Sequence, residues 1–107
     1  MEYGYFFQYG KAERMIYISH LDLLRLLGRA ARRAQLPVAL TEGFHRHLKI
    51  KLHHALKLGL EAQGQTGEII LKERWEEESL RQRWQAELPE GVLLSGMRFT
   101  GSKGGNA

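Results

Sequence analysis

Cysteine is absent from the 107-residue chain. That absence excludes a disulfide framework, a thiolate zinc site, a cysteine nucleophile and an iron–sulfur cluster held by the chain's own side chains. Long apolar runs are missing as well. Nowhere do the ~18 consecutive apolar residues needed to span a bilayer occur, and Met1 to Gln8 lacks the basic-then-apolar pattern of a secretory leader. A cytoplasmic protein with no membrane partner is the expectation. Proline occurs only twice, so few positions force a break in regular structure. Acidic residues are the minority charge, 12 Asp and Glu against 16 Lys and Arg, which favours an anionic partner.

The content that remains is that of a folded domain. A hydrophobic fraction of 43% and a charged fraction of 26% are ordinary for a globular protein, and the length suits one hydrophobic core. The expected organisation is a single α+β domain over residues 1–100 and a flexible, glycine-rich tail over 101–107.

Tyr3, Tyr5 and Phe7 alternate with Gly4, Phe6 and Gln8, the period-two aromatic pattern of a strand, and Tyr9 to Glu13 reads as a turn. A short apolar stretch, Met15 to Ile18, leads to Ser19, a good N-cap, with Asp22 three residues on. The helix so begun runs from about His20 to Ala34, before Pro37. On a helical wheel Leu23, Leu24, Leu27, Ala30, Ala31 and Ala34 share one side, while Arg25, Arg29, Arg32 and Arg33 form a basic stripe opposite. Val38 to Leu40 suggests a brief strand. Leu48, Ile50 and Leu52 then alternate with Lys49, Lys51 and His53, giving an apolar and a cationic face, and Leu56, Leu58 and Leu60 repeat the alternation. Gly64 to Gly67 reads as a hairpin loop before a strand over Glu68 to Lys72. Glu76, Glu77 and Glu78 open a second helix whose apolar side carries Leu80, Trp84 and Leu88. Val92 to Thr100 closes the order as a last strand. Strand, helix, strand, strand, helix, strand is the order of a ferredoxin-like antiparallel sheet with two helices on one face, here with extra short strands near Met15 and Val38.

The charge is concentrated. From Arg25 to Lys57 lie Arg25, Arg29, Arg32, Arg33, Arg46, Lys49, Lys51 and Lys57, opposed only by Glu42, whereas Glu73 to Glu90 is net acidic. A surface of this kind gains affinity for phosphate through counterion release. The candidate nucleic-acid-binding residues are therefore Arg25, Arg29, Arg32, Arg33, His45, Arg46, His47, Lys49 and Lys51. Gly43 permits a sharp turn, Phe44 is expected to anchor it in the core, and His45, Arg46 and His47 then project beside the cationic strand. The bland alternative is a solvated helix back. His45, His47, His53 and His54 lack a carboxylate or cysteine at ligand spacing, so neither a metal nor any other cofactor is expected.

Several segments resemble the radical-SAM-linked protein family: Ser19-His20-Leu21-Asp22-Leu23-Leu24-Arg25, Ala31-Arg32-Arg33-Ala34 before Leu36-Pro37, Glu42-Gly43-Phe44, and Leu56-Lys57-Leu58-Gly59-Leu60-Glu61. The likeness covers roughly Gly10 to Leu71, and family members commonly run on further. Where the family continues Gly-Phe with an Asn-Pro-containing stretch, this chain has His45-Arg46-His47-Leu48-Lys49, a less rigid and more cationic loop. In that family the domain is fused to, or encoded beside, a radical SAM protein, and its role is uncharacterised. The resemblance implies a radical SAM partner.

Combined with the basic region, it leads to the expectation of a noncatalytic RNA-binding or accessory domain acting with a radical SAM enzyme, with RNA or the ribosome as the target of modification. A homo-oligomer is compatible with the sequence. Two alternatives stand beside this. One is a metal-independent endoribonuclease similar to the CRISPR repeat-processing enzymes, with His20 as general acid or base; on the wheel His20 falls at the edge of the apolar side, which favours a structural, hydrogen-bonded histidine. The other is a basic protein-interaction module.

Overall fold

A computed structural model describes residues 1–55 and 57–103. The chain order is β1 (Glu2–Lys11), a 3-10 turn (Glu13–Tyr17), α1 (His20–Arg33), β2 (Ile50–Leu52), β3 (Ala62–Leu71), α2 (Glu77–Gln85) and β4 (Val92–Lys103). The strands lie in the order β2-β3-β1-β4, with every neighbouring pair antiparallel. Together with the βαββαβ chain order, this is the ferredoxin-like arrangement.

Alternation along β1 decides which face is covered. Tyr5, Phe7 and Tyr9 are buried and point to the helices, together with Ile69 and Leu71 of β3 and Val92 and Leu94 of β4. Both helices meet this face. Leu23, Leu27, Ala30 and Ala31 of α1 and Leu80 and Trp84 of α2 complete one core. Trp84 joins the layers: its ring stands edge-on to Phe7 at 5.0 Å between centroids, and its indole N–H donates to the Leu27 carbonyl at 3.1 Å. Phe7 faces Gly67 across the β1–β3 ladder. A Cβ at Gly67 would lie 2.5 Å from Phe7 Cζ, so the ring fills the space a side chain there would need.

The helix ends follow their sequence signals. Ser19 Oγ accepts the Asp22 N–H at 3.1 Å at the start of α1. At α2 the Glu76 carboxylate accepts the N–H groups of Glu78 and Ser79 at 2.9 and 3.0 Å. The Glu78 amide is the main reason the Glu76 carboxyl is held below its ordinary range, with Ser79 adding to it.

Several local expectations are corrected. Met15 to Tyr17 lie in the 3-10 turn rather than a strand, and Ile18 is the extended residue that ends it, its N–H bonded to the Met15 carbonyl. Lys11 is buried, and its ammonium donates to the carbonyls of Ile16 and Lys57 at 3.0 and 2.9 Å. This satisfies a cation where the sequence suggested an exposed turn. Val38 and Leu40 form only isolated bridges, to Leu71 and Leu48. The Gly64–Gly67 segment lies inside β3, paired with β1, so the β2–β3 connection occupies residues 53–61 instead. There Leu58 and Leu60 are exposed rather than strand-like, while Leu56 lies outside the described residues. Phe44 does not anchor its loop in the core; it is fully exposed. At the C-terminus β4 extends through Gly101 and Ser102 to Lys103, pairing back to Glu2. The rest of the expected tail, residues 104–107, lies outside the described residues.

Candidate nucleic-acid interface

The amphipathic wheel of α1 determines the first cationic surface. With Leu23, Leu27, Ala30 and Ala31 turned to the sheet, Arg25, Arg29, Arg32 and Arg33 are all exposed. They do not act as one stripe. Arg25, Arg29 and Arg32 line a groove of about 560 Å³ between α1 and the β2 edge, and His47 faces them across it. Leu21, Leu24, Gly28, Leu48 and Ile50 form an apolar floor. Leu48 packs over Gly28, its Cδ1 3.5 Å from where a Cβ would sit, an ordinary contact that a small side chain there would also make.

Arg33 turns away towards α2. Its Nε lies 3.3 Å from Glu87 Oε1, and a second guanidinium nitrogen donates to the Glu87 carbonyl at 2.8 Å. Arg25 is only loosely held, 3.5 Å from Asp22 with both side chains more than half exposed, an arrangement worth little in water. Arg29 and Arg32 have no ion pair among the described residues.

Lys49 and Lys51 belong to the opposite, uncovered face of the sheet, around the β2 edge from the groove. Lys49 is half-buried and paired with Glu2 at 2.9 Å. Lys51 is exposed and stands in a row that the strand register defines across all four strands: Arg98, Phe6, Glu68 and Lys51. The Arg98 guanidinium lies 5.4 Å from the centre of the Phe6 ring, and the His53 ring lies 5.0 Å from it on the other side. His53 is fixed by Thr66 Oγ1 at 2.7 Å and Glu68 Oε2 at 3.1 Å. Sequence reasoning missed Phe6 and Arg98. The alternation that sends Tyr5 and Phe7 inward sends Phe6 outward, and the pairing of Arg98 with it depends on a β1–β4 register that no local pattern displays.

The loop Thr41–His47 joins the two surfaces. Its base is pinched by Thr41 N–H to the His47 carbonyl at 2.9 Å and His47 N–H to Thr41 Oγ1 at 3.1 Å. His45, Arg46 and His47 are exposed, as expected. His47, Leu48 and Ile50 line both the α1 groove and a shallower hollow on the far side of the edge strand, where Lys49 and Lys51 also lie. The structure thus gathers Arg25, Arg29, Arg32 and His47 in one groove, puts Lys51 around the edge from it, and engages Arg33 and Lys49 with acids.

His20 is half-buried, but the hydrogen bond expected of a structural histidine is not formed: its Nδ1 is buried with no partner among the described residues. No group of three or more metal-ligating side chains comes together among the described residues, nor is any helix there long and apolar enough to cross a membrane. A slightly larger cleft, about 620 Å³, opens at the β1–β4 end beside Glu13, Gln85 and Glu90; its one lysine, Lys11, is buried and committed to backbone carbonyls. Among the described residues that cleft presents no free cationic side chain to an anion.

Fold and surface together define a ferredoxin-like α+β domain with a cationic groove beside its edge strand. A family model described as an uncharacterized protein conserved in bacteria (DUF2344) matches residues 5–105, and the chain belongs to that family. No curated protein matches it.

Proposed function

We propose that this chain is a noncatalytic RNA-binding domain, an accessory to a radical SAM enzyme that modifies RNA or a ribosomal component. The observation that carries the RNA reading is the α1–β2 groove, where Arg25, Arg29, Arg32 and His47 surround one concave surface. Among the described residues, the only acid paired with these arginines is the exposed Asp22. Guanidinium groups without committed partners suit phosphate, which accepts their planar N–H forks. Exposed Lys51 and Arg46 extend the same charge around the sheet edge. The radical SAM partnership rests on the resemblance of the Ser19–Arg25, Ala31–Ala34 and Glu42–Phe44 segments.

A second reading is supported by the groove floor. Leu21 is 53% exposed there, and an apolar floor under a cationic rim also suits an acidic amphipathic helix of a protein partner. Titration of a fluorescently labelled hairpin RNA separates the two. The wild type is expected to bind at low salt, and the Arg25→Gln/Arg29→Gln/Arg32→Gln variant to bind at least about tenfold more weakly with an unchanged melting temperature. A wild type without affinity for RNA rejects the proposal in favour of the protein-binding reading.

A further inference from the structure

Phe44 is 103% exposed, the most exposed large apolar side chain among the described residues, on a loop whose base is closed by two hydrogen bonds between Thr41 and His47. A wholly solvated phenylalanine contributes nothing to the fold, since it has no apolar contact to lose. The loop nevertheless holds it out in a defined place: Gly43 at φ +108° supplies a turn that few other residues adopt, and His47 Nδ1 lies 3.1 Å from the His45 carbonyl within the same loop.

The surroundings select the occupant. His45, Arg46 and His47 follow directly and are exposed, with Glu42 the only acid in the loop. His47 also forms a wall of the groove that holds Arg25, Arg29 and Arg32. A protein pocket for a lone phenylalanine would have to accept this cationic collar as well. An unpaired nucleobase offers an aromatic face and brings its own phosphates.

Resting on the RNA reading above, we infer that Phe44 is a stacking residue for an unpaired base, so that the groove holds backbone while the loop selects single-stranded or looped RNA over duplex. Neither terminal carbons nor charge alone would do this, because stacking needs a π-face.

Two labelled RNAs test it: a hairpin with an unpaired loop, and a blunt duplex of the same number of nucleotides. Phe44→Ala and Phe44→Leu are each expected to weaken hairpin binding about tenfold while leaving duplex binding unchanged, and Phe44→Trp to keep hairpin affinity. A 2-aminopurine in the hairpin loop should be quenched by the wild type and not by Phe44→Leu. Because Phe44 is solvated, all three variants should melt with the wild type. If Phe44→Ala binds both RNAs as the wild type does, while the triple arginine variant binds neither, the stacking role is overturned and the RNA reading stands. Equal losses on hairpin and duplex would likewise overturn it, by assigning the loop to backbone contact. Failure of the wild type to bind either RNA overturns both.

Discussion

Arg33 and Glu87 are joined twice, by an ion pair of 3.3 Å and by a guanidinium hydrogen bond of 2.8 Å to the Glu87 backbone carbonyl. The bond ties the last turn of α1 to the end of α2. It also divides four arginines that the helical wheel treats as equivalent. Arg33→Gln is therefore expected to change RNA affinity less than Arg29→Gln does, and to lower stability by up to about 1 kcal/mol, the range of an exposed pair. Parallel RNA titrations and urea unfolding of the two variants check this. A larger affinity loss for Arg33→Gln would return it to the binding surface.

Glu76 provides a pH-dependent element at the other helix. Its folded carboxyl is held low by the amide N–H groups it caps, first that of Glu78. A group whose folded pKa is depressed stabilises the fold above its unfolded pKa and loses that contribution as pH falls through the folded value. Thermal melts should therefore drop on acidification below the ordinary carboxylate range. Glu76→Gln should begin less stable at neutral pH and show a smaller drop. Parallel pH profiles for the two proteins would show that the cap contributes nothing to acid sensitivity.

His20 separates a binder from a nuclease. Among the described residues its half-buried ring has neither a partner for Nδ1 nor a hydrogen-bonded acid or base that would orient it for proton transfer. Labelled RNA incubated with the wild type in EDTA should remain intact over hours. Cleavage that disappears in a folded His20→Ala variant would replace the binding reading with a metal-independent endoribonuclease.

Most of the architecture was legible from periodicity. The Tyr5-Phe7 alternation, the α1 wheel and the Ser19 cap each have a local cause, and local causes survive in the fold. What failed depended on partners distant in sequence. Gly64–Gly67 carries turn residues, yet β1 pairs with it and extends the strand, and Gly67 is needed because Phe7 lies over it. A turn at Gly43 suggests that Phe44 anchors it in the core, but the loop closed between Thr41 and His47 leaves Phe44 wholly exposed. At the site, exposure of the arginines followed from the wheel. The withdrawal of Arg33 and Lys49 depends on Glu87 and Glu2, which lie 54 and 47 residues away in the chain, beyond the reach of any local pattern.

The salt dependence of RNA affinity reports on the groove itself, because it counts the counterions displaced when its arginines meet phosphate. Binding of the labelled hairpin should be measured over a range of monovalent salt for the wild type and for Arg25→Gln/Arg29→Gln/Arg32→Gln. The expected result is a linear fall of log affinity with log salt, with a slope shallower by roughly 2 in the variant, about 0.7 for each lost phosphate contact. Equal slopes for the two proteins would contradict the assignment of the groove as the phosphate-binding surface.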